Sequence, residues 1–171
     1  AIPLGIAAGL SKTANAALDK VAVQHTEVAD MLADYGDSDL LCYRADGPSE
    51  LVARQATLWD PMLTWGKDAL GVQLAVRTGV MHVPQDRAAL AVLREKTRTL
   101  TAFELAAFHD LVSLSGSLIL GFAAALRAKE AESLWELSRL DEIWQAEQWG
   151  VDEQAEEMAL VKKDSFLHAN A

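Results

Sequence analysis

Apolar residues in the first part of the chain recur mainly at three- and four-residue steps. Such a stripe runs from Leu10 to Leu32 and predicts an amphipathic helix of about 25 residues, which we expect to end at Gly36. A second helix is predicted to begin after a cap at Ser49. Asp60-Pro61 is expected to break or restart it, because proline lacks a backbone donor but suits a first helical turn.

Two short segments carry strand patterns. Leu40–Tyr43 is an apolar run bounded by turn-forming residues on both sides. Val72–Val76 alternates apolar residues with less apolar ones, which is the period of a half-covered strand. Together they predict a small two-stranded β element.

The middle of the chain returns to helical patterns. Asp86 precedes a helical pattern, and Thr101–Glu104 has the form of a capping box at the start of the next helix. The uncharged run that follows, Leu111–Leu126, predicts a buried central helix or a tightly joined pair of helices. Ser117 and Gly121 are small enough to let a neighbouring helix approach closely.

Two further helices are predicted at the end of the chain, over residues 130–148 and 153–166. Gly150 would end the first, and Asp152 would cap the second. The expected fold is mainly α, a multihelical domain of six or seven helices with a small two-stranded β element. Residues 1–84 would form a helix-strand-helix-strand part and residues 85–171 a helical part. We expect both parts to belong to one compact unit, because the chain has only 171 residues.

Composition narrows the classes of partner and the compartment. The formal charge of −10 argues against nucleic acid as the main partner, because phosphate binding depends on clustered lysine and arginine. The 16 residues of Leu111–Leu126 are too few to span a bilayer, so no membrane insertion is expected. Cys42 is the only cysteine, which excludes an internal disulfide. No targeting segment is visible, and the single cysteine fits a reducing compartment.

No recognised catalytic motif is present. The four histidines lack metal-ligand spacing, and neither a nucleophile elbow nor a phosphate-binding loop occurs. Cys42 lies in an apolar run, where burial would make its thiol inert. We therefore expect no enzyme activity, no cofactor and no metal. The alternative of a small-molecule enzyme requires a pocket that gathers distant residues such as Tyr43, His82 and His109.

Acidic and aromatic residues are concentrated in the same stretch. Residues 129–157 contain ten acids and two bases, together with Trp135, Trp144 and Trp149. Such a segment can be the solvated face and core contact of ordinary helices, or an acidic rim around the aromatic anchors of a protein interface. Neighbouring carboxylates such as Asp141 and Glu142 point to different helix faces, which argues against paired acid-base catalysis.

One segment of this stretch resembles a known family. Ser138–Glu153 (SRLDEIWQAEQWGVDE) is similar to the signature of the F(1)-ATPase assembly chaperones that handle the α subunit, namely mitochondrial F(1)-ATPase assembly factor 2 and its α-proteobacterial relatives. Ser11–Asp19, Asp39–Arg44 and Trp59-Asp60-Pro61 are similar to other motifs of that family, in the same order.

The resemblance implies a chaperone without enzymatic activity. Such a protein would hold a newly made α subunit through the surface later presented to the β subunit, and so prevent its aggregation. The alternative is a helical adaptor for another protein. Family members carry an N-terminal β-rich domain, which this chain is expected to lack. In the family, acidic positions after the Trp-Gly pair are important, and Val151 stands here where an acidic residue is common. The resemblance and the acidic-aromatic stretch together give these expected partner-binding residues: Asp141, Trp144, Glu147, Trp149, Asp152, Glu153, Glu156 and Glu157.

Overall fold

The computed structural model describes residues 22–170. Residues 22–33 form helix α1, whereas the earlier part of this predicted helix, including Ser11–Asp19, lies outside the described residues. The predicted stop at Gly36 is wrong, because a 3-10 turn over Asp34–Ser38 already follows α1. Gly36 is buried, and a Cβ atom there would lie 3.0 Å from Leu93 Cδ1, so the glycine permits close packing and does not end the helix.

The two-stranded β element is present, but its strands are displaced from the predicted segments. Leu40–Cys42 forms a 3-10 turn, and strand β1 is only Tyr43–Arg44. It pairs in parallel with β2, Arg77–Thr78. The prediction of a strand at Val72–Val76 is wrong, since the Gln85 side chain bonds both the N–H and the C=O of Ala75 at 2.8 Å. A side chain thus takes the place of a neighbouring strand.

Helix α2, Ser49–Leu70, runs without interruption through Pro61. Pro48, not Ser49, stands at its N-cap, and the expected break or restart at Asp60-Pro61 does not occur. An interior proline costs a helix about 3 kcal/mol. The face that α2 packs against the core offsets this cost, because it is buried on both sides of Pro61 and is apolar except for Gln55: Leu51, Gln55, Trp59, Met62, Gly66 and Leu70.

The predicted starts of the next two helices are confirmed. Asp86 caps α3, Arg87–Arg98, and both hydrogen bonds of the capping box Thr101/Glu104 are present at α4, Ala102–Ser115. The uncharged run is a pair of helices, because α4 ends at Gly116 and α5 occupies Leu118–Ala125.

Helix α5 lies at the centre of the core. Its residues from Leu118 to Ala124 are all buried, and it contacts α2, α4 and the next helix, α6 (Ala131–Ser138). A Cβ atom at Gly121 would lie 2.6 Å from Val112 Cγ2, so the predicted close approach at this glycine is confirmed. Phe108 and Phe122 pack across the same contact, with ring centroids 4.7 Å apart.

The prediction of one helix over residues 130–148 is wrong. Helix α6 ends at Ser138, and α7 covers Leu140–Trp149. The carbonyl of Leu137 would accept from residue 141 in a continuous helix, but here it accepts the indole N–H of Trp59 at 2.9 Å. Helix α8, Glu153–Ala169, follows the predicted cap at Asp152.

The fold class is mainly α with a minor β element, as predicted. The described residues form eight α-helices, more than the expected six or seven, partly because the helix predicted over 130–148 is divided in two. Within the described part, no helix is both long and apolar enough to cross a membrane.

Candidate functional site

A groove of about 600 Å³ lies among the end of α6, helix α7 and the first half of α8. Trp135 and Ile143 contribute apolar surface, and Ala146, Ala155 and Ala159 keep the groove open because their side chains are small. Trp149, Gly150 and Val151 line it at the end of α7 and in the turn that follows. The other lining residues are polar or charged: Glu136, Arg139, Asp141, Glu142, Gln145, Asp152, Glu156 and Lys163. We refer to this feature as the α7–α8 groove.

Helix α8 is anchored by its second half only. Phe166 is fully buried and packs on Trp135, with ring centroids 5.4 Å apart, while Lys163 reaches Glu132 of α6 at 2.8 Å. In the first half, Met158 and Val161 are both more than 60% exposed and lie three residues apart. This half of α8 therefore presents apolar side chains to solvent.

The turn between α7 and α8 places an aromatic side chain at the rim of the groove. Gly150 ends α7 with a φ of 92°, a value that favours glycine. Asp152 then caps α8 by accepting hydrogen bonds from the backbone N–H groups of Gln154 and Ala155. Trp149 precedes this turn and is 82% exposed. A large, exposed tryptophan beside a groove is a typical anchor of a protein interface.

Three side chains of α2 fix the position of the groove. The Trp59 indole holds Leu137, just before the break between α6 and α7. Gln55 is buried and donates to Asp141 Oδ1 at 2.8 Å, and Arg54 donates to Glu147 at 2.8 Å. These three contacts lie just before α7, in its first turn and near its end. Helix α2 therefore holds α7 along most of its length.

Two of the segments that resemble the chaperone family meet behind this attachment. Arg44 of β1 pairs with Asp60 at 2.8 Å and lies over the Trp59 ring at 5.4 Å. Asp39 is fully buried and accepts hydrogen bonds from the Ser117 hydroxyl and from the backbone N–H of Ile119. Arg44 and Asp60 therefore lie behind the contact of Trp59 with Leu137, Asp39 holds the start of α5, and none of the three lines the groove.

The basic groups in the groove already have acidic neighbours. Arg139 lies 3.7 Å from Glu142 and over the Trp135 ring. The hydrogen bond between Lys163 and Glu132 raises the pKa of the lysine and lowers the pKa of the glutamate. Within residues 22–170, no ion pair involves Asp152 or the carboxylates of the next turn, Glu153, Glu156 and Glu157. The rim of the groove is thus predominantly negative.

The predicted partner-binding residues fall into three places. Asp141, Trp149, Asp152 and Glu156 line the groove. Glu153 and Glu157 are exposed on the first turns of α8 beside it, whereas Glu147 is bonded to Arg54. Trp144 is only 8% exposed and packs under the Arg54 guanidinium at 5.0 Å, so it belongs to the core.

Sequence analysis missed the apolar residues that α8 contributes to the groove. Ala155 and Ala159 line the groove, whereas Met158 and Val161 are exposed on other faces of α8 and do not line it. The spacing of the two alanines along α8 was a usable signal, because residues four apart share a helix face.

The residues considered for an enzyme do not share one pocket. His82 bonds Asp37, and the Tyr43 hydroxyl accepts from Val83 close by. His109 instead pairs with Asp110 and is exposed on α4. Burial raises the pKa of the Cys42 thiol to about 12, in agreement with an inert cysteine. In the part of the chain that is described, no three potential metal ligands cluster.

Comparison with known proteins gives similar structures over nearly the whole chain. A family model described as "ATP12 chaperone protein" matches residues 8–67. Atp12 from Paracoccus denitrificans is 46% identical, with 94% of this chain and 69% of that chain covered and a TM-score of 0.85. A variant of the same protein with an aspartate-to-lysine substitution is 45% identical, with 95% of this chain and 72% of that chain covered and a TM-score of 0.83. A putative chaperone from Agrobacterium tumefaciens is 41% identical, with coverages of 91% and 58% and a TM-score of 0.81.

Proposed function

The chain belongs to the ATP12 chaperone family, and we propose that it binds the newly made α subunit of F(1)-ATPase and prevents its aggregation until the β subunit takes its place. The family assignment agrees with the resemblance of Ser138–Glu153 to the α-subunit chaperones. The observation that carries the proposal is the α7–α8 groove, in which an apolar floor and the exposed Trp149 are surrounded by carboxylates.

This surface has the properties that a transient protein partner requires. Apolar side chains supply affinity when they are covered, and a charged rim raises the association rate without adding much to the stability of the complex. A chaperone must release its client, so a surface of this kind suits exchange with the β subunit. We place this exchange in the bacterial cytoplasm or the mitochondrial matrix.

The proposal includes no catalytic step. The groove holds Asp141, Asp152 and Glu156, but Asp141 is bonded to Gln55 and Asp152 caps α8. Both carboxylates therefore have structural partners, which favours binding over acid-base chemistry as the role of the site.

Binding of isolated α and β subunits to the chain tests the proposal. Trp149→Ala and Glu153→Lys are expected to weaken capture of α at least about tenfold, because they remove the exposed aromatic anchor or reverse a charge beside it. Phe103→Ala and Glu50→Lys are matched controls, since Phe103 is another exposed aromatic residue and Glu50 another exposed acid in a first helical turn. Selective capture of α, lost only in the first pair, is the expected result.

Two results would count against it. If no variant of the chain captures α while another protein is bound through the same surface, the chain is a helical adaptor. If both pairs of substitutions weaken capture equally, the groove is not the binding site.

A further inference from the structure

We infer that the α7–α8 groove binds one amphipathic helix of the partner, with an apolar stripe flanked by lysine or arginine side chains. This inference rests on the proposed function in that the helix would belong to the α subunit. It adds the secondary structure and the charge of the segment that is recognised.

The shape of the groove favours a helix as the occupant. Its walls are themselves helical, and Ala146, Ala155 and Ala159 allow a third helix to approach closely, within the usual interaxial distance of about 8–10 Å. The strands of the described residues, Tyr43–Arg44 and Arg77–Thr78, do not line the groove. An extended peptide would find no strand edge to pair with, whereas a helix satisfies its own backbone hydrogen bonds.

The charges indicate which helix would fit. Glu136, Glu142, Asp152 and Glu156 surround the apolar floor. The two basic residues of the groove, Arg139 and Lys163, already face carboxylates of this chain. An acidic helix would meet repulsion on most sides, while a basic helix would place cations at the rim and apolar side chains against Trp135, Ile143 and Trp149.

A peptide experiment tests this inference independently of the α subunit. The probe is a fluorescent peptide of about 20 residues in which leucines follow helical spacing and the other positions are lysine. One control peptide has the same composition in an order without an apolar stripe, and a second has glutamate in place of lysine. Anisotropy measures affinity, and far-UV circular dichroism measures helix formation on binding.

Ala155→Trp fills the groove without changing its charge, and Ala91→Trp places the same side chain on exposed α3 as the matched control. We expect the striped basic peptide to bind at least about tenfold more tightly than either control peptide and to become helical. Ala155→Trp should weaken binding at least about tenfold, and Ala91→Trp should leave it unchanged. Equal binding of the striped and unstriped peptides, or no effect of Ala155→Trp, would overturn the inference.

The same variants are then tested for capture of the α subunit. If Ala155→Trp captures α as well as the unaltered chain does, the groove inference is wrong and the proposed function stands. If the striped peptide binds in the groove but α is not captured by any variant, the proposed function is wrong and the preference of the groove for a basic helix stands.

Discussion

Trp59 shows how a single buried side chain determines the geometry of a distant surface. Its indole donates to the carbonyl of Leu137, 78 residues later in the chain, just before the break that separates α6 from α7. Because the ring is fully buried beneath the Arg44 guanidinium, water cannot replace the hydrogen bond. The position of α7, and with it one wall of the groove, depends on this contact.

We expect Trp59→Phe to lower the free energy of unfolding by about 2 kcal/mol, because the aromatic volume is largely kept but a buried carbonyl loses its donor. Trp65→Phe is the control, since Trp65 is partly buried in the same helix and donates no hydrogen bond within residues 22–170. Urea unfolding followed by circular dichroism gives both values. An equal loss in the two variants would show that ring volume, not the hydrogen bond, is responsible.

The buried carboxyl of Asp39 should make the free energy of unfolding depend on pH. Burial raises the pKa of this carboxyl from 3.8 to about 6, although hydrogen bonds from Ser117, Ile119 and Leu41 oppose the shift. The folded protein therefore holds the Asp39 proton more tightly than the unfolded chain does. The contribution of this group to stability is fully present below pH 3.8 and is lost as the pH rises through about 6.

Comparison with Asp39→Asn isolates this effect from the other carboxylates. The free energy of unfolding of the unaltered protein, minus that of the variant, should fall by about 1–2 kcal/mol between about pH 5 and about pH 8. Chemical unfolding at a series of pH values measures the difference. A difference that stays constant, or increases with pH, would contradict the raised pKa.

Helices α4 and α5 illustrate packing that depends on the absence of a side chain. Gly121→Ala would force a Cβ atom to within 2.6 Å of Val112 Cγ2, so we expect a loss of about 1–3 kcal/mol from overpacking. At Gly66 a Cβ atom would lie 3.2 Å from the flexible end of Ile119, and the higher helix propensity of alanine offsets the contact. Thermal unfolding should rank Gly121→Ala well below Gly66→Ala, and the reverse order would contradict this packing.

Removing the N-cap of α3 or of α8 distinguishes an effect on stability from an effect on binding. Asp86 and Asp152 each accept a hydrogen bond from the first turn of their helix, so replacing either by alanine should cost about 1 kcal/mol. We expect only Asp152→Ala to weaken capture of the α subunit, because the first turn of α8 carries Glu153 and Glu156 beside the groove. Parallel unfolding and capture measurements test this. Equal weakening of capture by both variants would point to a general loss of stability.

Elements defined by local contacts could be predicted from the sequence, and those defined by distant contacts could not. The capping box of Thr101 and Glu104 joins residues three apart, and the cap at Asp152 is equally local. The break between α6 and α7 involves Trp59, and the extended segment at Ala75 is bonded by Gln85. Such long-range partners leave no periodic signal in the segments that they alter.

At the scale of the whole molecule, the net charge of −10 is distributed unevenly. Ten of the acids lie in residues 129–157, the stretch that contributes most of the groove. Sequence analysis could identify this region but could not separate Trp144, which packs under Arg54, from Trp149, which is exposed. Both tryptophans lie in the same acidic helical stretch, and only the packing of α2 against α7 shows which of them is buried.

Displacement of the chain by the β subunit tests whether the chain is an assembly chaperone for the α subunit. A complex of the chain with labelled α subunit is mixed with increasing amounts of β, and the species are separated by size-exclusion chromatography. We predict that α passes into a complex with β while the chain is released, and that α aggregates less than it does without the chain. A chain that captures no α, or that remains bound after β has joined α, would contradict this function.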